Sequence, residues 1–460
     1  MGPKGRRDVG FDLVVIGGGA AGLAAARTAR RRGATVALVA GGPLGGECTF
    51  YGCVPSKTLI EAGHQKLEFT AAASRARSVI ARIAATEDAT VLRREGIEII
   101  EGTARFVARG HLSVCGRDLR YARLVIATGS APVVPVVPGI EAVGALTNET
   151  VFDLRTRPGS LLIVGGGPIG VELGQAFTNF GTSVTIVEAA DRLLPGEEPE
   201  VSALVAQALE DGHVKVRAGR QVTEFSGALG HIAARLDDAT TVHAEQLLVA
   251  VGRRPGTADL GLANAGINVD ERGYIVTDPY MRTNVRGVYA AGDVTGRAML
   301  SHAADEMGRT AASNALSRIG WHRFRDDVVP TVTYTRPEVA RVGLTEQQAA
   351  SVKGARVAEL PLSELDRAII AGRTGGYIKL IAAPRAPTGN LAGGKLIGAT
   401  IVADRAGEMI ALATLAMSTG MFPARLALTV QAYPTWALGL RQAAAQFFVE
   451  SGGRRARPPK

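Results

Sequence analysis

The apolar positions of this chain gather into unbroken runs, and each run leads straight into a glycine cluster. Residues 11–16 form one such run. An unbroken apolar stretch, as opposed to an alternating one, predicts a strand buried on both faces of a parallel sheet. Gly17-Gly18-Gly19-Ala20-Ala21-Gly22 follows, and then an alanine-rich stretch to Arg32 that predicts a helix. Residues 35–39 predict a second strand, which closes a β-α-β unit. The same order recurs later: an apolar run at 161–164, Gly165-Gly166-Gly167-Pro168-Ile169-Gly170, a helix through Phe180, and a strand at 183–187 ending at Glu188. The chain therefore carries an internal repeat. Between the repeats, residues 57–95 follow helical spacing with a break near Glu87-Asp88. From about Val328 strand and helix patterns mix without a third glycine cluster, which predicts a separate α+β domain. Residues 384–394 read as a surface loop.

Composition adds limits. At 460 residues the chain is long enough for several cores. No apolar run approaches the ~18 residues of a membrane span, and the N-terminus lacks the apolar core of a signal peptide. The formal charge is +9, with much of the excess at the two ends. Residues 1–9 and 451–460 read as solvated basic tails. No nucleic-acid recognition motif accompanies the charge. Three cysteines in such a chain are not a disulfide framework, so a cytoplasmic setting is expected, where a close cysteine pair is catalytic or metal-binding. Cys115, alone after a strand-like run, reads as a small buried hydrophobe.

The glycine clusters carry the first chemistry. Each lies between a predicted strand and a predicted helix, the context in which such a fingerprint binds a dinucleotide. Gly17, Gly19 and Gly22, and again Gly165, Gly167 and Gly170, let backbone approach a pyrophosphate at a helix N-terminus. Glu188, at the end of the second unit's second strand, would accept from a ribose 2′-hydroxyl and repel a 2′-phosphate, which favours NAD over NADP. The matching position of the first unit is Ala40, so that ribose lacks its usual acidic partner. Ala127-Thr128-Gly129 ends one further strand, and Gly292-Asp293 ends another; Asp293 is placed to bond a ribitol hydroxyl. Gly252 joins the cofactor-binding set. The second chemistry is Cys48 and Cys53, set just ahead of a helix predicted to begin near Pro55. A helix N-terminus stabilises thiolates, and the spacing lets the sulfurs close as a disulfide or part as a dithiol. A zinc site would need a C-x₂-C partner, which is missing. Lys57 lies one turn beyond Cys53 on the same face.

Taken together these motifs resemble the flavoprotein disulfide reductases, the group of dihydrolipoamide dehydrogenase, glutathione reductase and mercuric reductase. The resemblance covers about residues 10–450. It implies an α/β fold with two Rossmann-like dinucleotide-binding domains and a C-terminal α+β dimerisation domain. The implied division is an FAD-binding domain at 10–150 and 276–327, an NAD(P)-binding domain at 151–275, and a dimerisation domain at 328–450. FAD and NAD are the implied cofactors, with NADP as an alternative, and the implied assembly is a homodimer. Cys48 corresponds to the thiol that meets substrate and Cys53 to the thiolate lying against the flavin. Lys57 corresponds to a lysine beside flavin N5, paired with a glutamate that matches Glu172.

One segment departs from the pattern. Disulfide reductases of this group carry His-Pro-Thr-x-x-Glu, contributed by the partner subunit, as proton shuttle and orienter. The matching run is Tyr433-Pro434-Thr435-Trp436-Ala437-Leu438. A tyrosine, with an ordinary pKa of ~10 against ~6.5 for histidine, is a poor proton acceptor at neutral pH. Mercuric reductases resemble the chain more closely here, since they too carry a tyrosine, and a soft metal needs thiolates and no proton shuttle. Their C-terminal cysteine pair is missing. Metal ligation by the chain itself is not expected; the expected acceptor is a soft metal ion or small electrophile. Two other readings stay open: a dihydrolipoamide-dehydrogenase-like enzyme using another acid, with His64 and His302 as candidates by type, and a degenerate flavoprotein with a sensor or assembly role.

Overall fold

The computed structural model describes residues 10–460, so the tail expected at 1–9 lies outside the described residues. The first glycine unit belongs to a five-stranded parallel sheet, in the order Val288–Ala290, Leu124–Ile126, Leu13–Ile16, Val36–Ala40, Ile97–Glu101. Every residue of Leu13–Ile16 and Val36–Ala40 is buried, as the unbroken apolar runs require. Successive side chains point to opposite faces. Leu13 and Val15 pack with helices Ala20–Arg31 and Ser301–Leu316. Val14 and Ile16 pack with Phe106, Leu112 and Val114 of a three-stranded antiparallel layer.

The second unit repeats this plan. Its parallel sheet runs Lys215–Ala218, Ser183–Glu188, Ser160–Val164, Gln246–Val249. Helices Pro168–Asn179 and Pro199–Asp211 cover one face and an antiparallel sheet, Val222–Ala228 to Thr241–Ala244, covers the other. The repeat extends to atomic detail. A Cβ on Gly17 would stand 2.1 Å from the Ala127 carbonyl, and one on Gly165 would stand 2.4 Å from the Ala250 carbonyl. A Cβ on Gly22 would meet Gly17 O at 1.8 Å, and one on Gly170 would meet Gly165 O at 1.9 Å. Glycine at these four positions is fixed by backbone packed on backbone.

The last third is a five-stranded antiparallel sheet, in the order Thr331–Thr333, Glu338–Gly343, Lys395–Ala403, Tyr377–Ala383, Arg356–Pro361. Helices Ala406–Ser418 and Leu438–Ala445 share its core. Lys379 ties this sheet to the second unit. It is 2% exposed, and its Nζ lies 3.1 Å from Glu198 Oε2 and 2.9 Å from Glu346 Oε2.

Four expectations need correction. The redox helix spans Cys53–His64 and so starts ahead of Pro55. The stretch 57–95 breaks twice: helices Phe69–Ala84 and Ala89–Arg94 follow, the extra break being marked by Lys66 at φ 56. Cys115 is exposed, because strand His111–Val114 ends before it and a φ of 48 swings it into the turn. Residues 451–460 are not a free solvated tail. Arg457 forms an isolated bridge with Val357 of the sheet and an ion pair with Glu346. Arg454 bonds Glu364 at 2.5 Å, and Ala456 packs on the domain core. The buried acids Glu198 and Glu346 hold Lys379, and Arg457 balances the charge that remains.

Candidate active site

Cys48 sits in a short helix, Gly46–Phe50, and Cys53 opens the helix Cys53–His64. Both are free thiols. Gly52 caps the second helix without a side-chain hydrogen bond, so the positive helix end acts on Cys53 directly. The Cys48 thiol donates to Cys53. That bond, with Ser301 and Lys57 adding to it against the cost of burial, lowers the Cys53 pKa to about 6. The same bond, together with burial, pushes Cys48 up. The arrangement is a thiolate at Cys53 and a thiol at Cys48. Ser301 Oγ lies 3.4 Å from Cys53 Sγ.

The expected Lys57–Glu172 pair is present at 2.6 Å. Glu172 is 4% exposed, and its second oxygen accepts from the Tyr334 N–H at 2.8 Å. Lys57 Nζ also stands 4.7 Å above the Tyr334 ring. Three distant segments thus meet at one carboxylate.

The first fingerprint lies beside the dithiol: a Cβ on Gly46 would stand 2.6 Å from Gly19 Cα. Gly19 caps helix Ala20–Arg31 with no side-chain bond and no acid in the first turn, which leaves its N–H groups free for a phosphate. Thr128 Oγ1 is buried without a protein partner. Asp293 bonds no backbone of its own turn through its side chain; it accepts from Ser130 Oγ at 2.7 Å. Arg253 Nε donates to the same Ser130 Oγ at 2.8 Å and its guanidinium pairs with Glu47. Asn148 donates to Glu47 at 2.6 Å. Burial raises the Glu47 pKa, with Arg253 opposing. These observations fit FAD. Gly17, Gly19, Gly22, Thr128 and Asp293 are the groups that would hold it.

The second fingerprint fits a nicotinamide dinucleotide. Gly167 caps helix Pro168–Asn179 without a side-chain bond, and a Cβ there would meet nothing within 4 Å. Glu188 Oε2 accepts from Gly166 N–H at 2.5 Å and Oε1 from Ala190 N–H at 2.7 Å. Those bonds fix the carboxylate at the strand end, beside the turn. Gly252, at φ 146, is open in the same way.

Other candidates separate from the site. Tyr433 is 68% exposed, and its hydroxyl donates to Asp366 Oδ2 at 2.9 Å, which raises the phenol pKa. Leu438 opens helix Leu438–Ala445 and packs on its own domain core. Within this chain neither is among the groups around the dithiol. His64 ends the redox helix, where burial pushes it down to about 4. His302 follows Ser301, but its Nε2 is 2.7 Å from Pro330 O. Sequence reading missed Glu47, Ser130, Asn148, Arg253, Ser301 and Tyr334. Only two had a signal: Glu47 adjoins Cys48, and Arg253 follows Gly252. No cluster of three or more histidine, cysteine or acidic side chains suited to a metal occurs among the described residues.

Comparison with known proteins decides what this assembly is. Residues 11–308 match the family model described as pyridine nucleotide-disulphide oxidoreductase, and residues 329–444 match that family's dimerisation domain. The chain belongs to the pyridine nucleotide-disulphide oxidoreductases. It is 36% identical to a mercuric reductase of Staphylococcus aureus, over 96% of this chain and 83% of that one. It is 35% identical to a dihydrolipoyl dehydrogenase of Thermus scotoductus, over 94% and 96%. Among solved structures it resembles a Cu(II) complex of the HOCl-induced flavoprotein disulfide reductase RclA of Escherichia coli. That match has a TM-score of 0.84 and 31% identity, over 93% of this chain and 98% of that one. As a pyridine nucleotide-disulphide oxidoreductase the protein is an FAD-dependent NAD(P)H oxidoreductase. The two α/β units and the C-terminal domain match the expected fold class. No helix among the described residues is long and apolar enough to cross a membrane.

Proposed function

We propose that this oxidoreductase passes electrons from NADH through the Cys48–Cys53 pair to a soft metal ion or small electrophilic oxidant. The observation that carries the reading is Tyr433. Its phenol donates to Asp366 and has a raised pKa, so it does not take a proton from Cys48 at neutral pH and is a weak acid toward a departing thiolate. Reduction of an ordinary disulfide needs an acid for the departing thiolate, worth ~10²–10⁴-fold. A soft metal ion needs only thiolates. The relatives named mercuric reductase, and the RclA relative bound to Cu(II), fit the same chemistry.

In this reading bound FAD supplies electron transfer between nicotinamide and sulfur. Reduction of the disulfide takes two electrons and one proton to give the Cys53 thiolate and the Cys48 thiol. Lys57 places positive charge beside Cys53 and is held by Glu172. Glu188 selects NADH by engaging a 2′-hydroxyl. Cys48 meets the acceptor, and its proton leaves to solvent as metal binds. The assembly is a homodimer, and the boundaries between the two cofactor units and the C-terminal unit fall at about residues 150, 275 and 327. Tyr433 lines the partner's acceptor site.

Neither histidine named for the lipoamide alternative stands at the dithiol as a free base among the described residues. His64 lies eleven residues along the helix from Cys53, about 16 Å at the helical rise, and His302 is engaged by Pro330. The test is NADH oxidation with Hg(II), Cu(II), lipoamide, glutathione disulfide and quinones, in one buffer. Metal or quinone turnover should exceed disulfide turnover by at least ~10². Efficient lipoamide or glutathione turnover would sink the proposal.

A further inference from the structure

Ser301 brings a neutral hydroxyl to the dithiol from outside the cysteine motif. It opens the sixteen-residue helix Ser301–Leu316, whose N-cap, Leu300, offers no side-chain bond. Its Oγ is 3.4 Å from Cys53 Sγ, although the two residues stand 248 positions apart in the chain. The same hydroxyl also acts on Cys48, opposing the rise that Cys53 and burial cause there. The helix is held hard in place, since a Cβ on Gly308 would stand 2.1 Å from Ala21 O. Ser301 is therefore anchored to the fingerprint helix, and the distance to Cys53 is set by backbone packing. A thiolate has no proton to give, so in that form the hydroxyl can only donate.

We propose that Ser301 holds Cys53 as the thiolate in the reduced enzyme by donating a hydrogen bond to its sulfur. The proposal rests on the assignment of Cys53 to the flavin side made above. It deepens that assignment by naming a hydroxyl donor to the flavin-side thiolate. The charged and titratable groups facing Cys53 are Cys48 from the preceding short helix and Lys57 from its own helix. Glu172 faces it from the second fingerprint helix and Tyr334 from the C-terminal domain. His302, next to Ser301, is engaged by Pro330 O. Lys57 and the Cys48 thiol already favour the anion, and Glu172 opposes it. The second helix N-terminus adds to the same side. A hydroxyl donor to an anion is shorter-ranged than either charge, so its loss should appear as a change in one ionisation and leave the ion pair intact.

The test uses FAD-loaded Cys48→Ser enzyme, which isolates Cys53. Two readouts are followed against pH: the long-wavelength flavin–thiolate absorption, and the rate of Cys53 alkylation by iodoacetamide, read by peptide mass spectrometry. Adding Ser301→Ala should raise both midpoints by about one pH unit, a tenfold change in the ionisation constant. Adding Ser301→Thr instead should leave them near the parent value. An unchanged alkylation midpoint in Ser301→Ala, or an equal rise in Ser301→Thr, overturns the proposal. Absence of the flavin band in the parent would overturn the assignment of Cys53 to the flavin, while the alkylation midpoint still tests the hydrogen bond. Should Ser301→Ala fold poorly, Ser301→Cys offers a weaker donor of similar size, expected to give an intermediate rise; no rise there also overturns the proposal.

Discussion

Glu172 is where the redox helix, the second fingerprint helix and the C-terminal domain meet, so removing it tests the assembly most sharply. Its buried carboxylate accepts from Lys57 Nζ at 2.6 Å and from the Tyr334 N–H at 2.8 Å. Glu172→Ala deletes both acceptors. Glu172→Gln deletes the charge and keeps an oxygen for Tyr334. Two unit charges at that spacing attract by about 6 kcal/mol at an effective dielectric of ~20, but desolvation of the buried acid cancels much of this. The lysine side chain is 34% exposed, so once freed it hydrates. What stays uncompensated in Glu172→Ala is the Tyr334 N–H, at ~1–3 kcal/mol. The expected losses are about 3 kcal/mol for Ala and about 1 kcal/mol for Gln. The assay is urea unfolding of the FAD-loaded enzyme, followed by circular dichroism and flavin fluorescence. Equal losses in the two variants would refute the role given to the Tyr334 backbone. A loss under ~0.5 kcal/mol in Glu172→Ala would refute the buried junction itself.

Three further outcomes follow from other parts of the fold. Cys53 ionises near 6 in the fold against an ordinary thiol value of 9.0; a lowered pKa stabilises the fold fully above the unfolded value, and this is lost as pH falls through the folded one. Enzyme reduced with NADH without oxygen should therefore keep its flavin–thiolate absorption from pH 9 down to about 6 and lose it below, and a midpoint near 9 would contradict the Cys48–Cys53 hydrogen bond. Gly46→Ala would set a Cβ 2.6 Å from Gly19 Cα at a φ of +63, so purified protein should carry well under half the normal flavin; full flavin content would show that the fingerprint turn tolerates movement. Arg457→Ala should cost about 1 kcal/mol after solvent screening and lower the melting temperature, whereas an unchanged melting temperature would return the C-terminal residues to the status of a free tail.

Much of the fold was legible because its signals are local. Unbroken apolar runs require strands covered on both faces, and the glycines between strand and helix mark places where backbone meets backbone. Gly17 and Gly165 hold equivalent carbonyl contacts, so the repeat seen in the sequence is a repeat in space. The cysteine pair, Lys57 and Glu188 were singled out the same way, by their position within a motif. Helix ends were less legible. Lys66 takes a left-handed conformation with no glycine to announce it, and Cys115 is turned outward by the same kind of backbone step.

The sequence alone determined a repeated glycine-marked α/β unit, a closely spaced cysteine pair, and a tyrosine where the related reductases carry a base. The tertiary structure alone decided what surrounds them. Arg253 reaches Glu47 across 206 residues of chain, and Tyr334 reaches Glu172 across 162. Arg457 turns the expected tail into part of the C-terminal sheet. The physical reason is one of range. Hydrophobic period and backbone sterics act over a few residues and leave a pattern in the sequence. A hydrogen bond or ion pair between distant segments exists only after the sheets and helices have packed, and neither partner carries a local mark of the other.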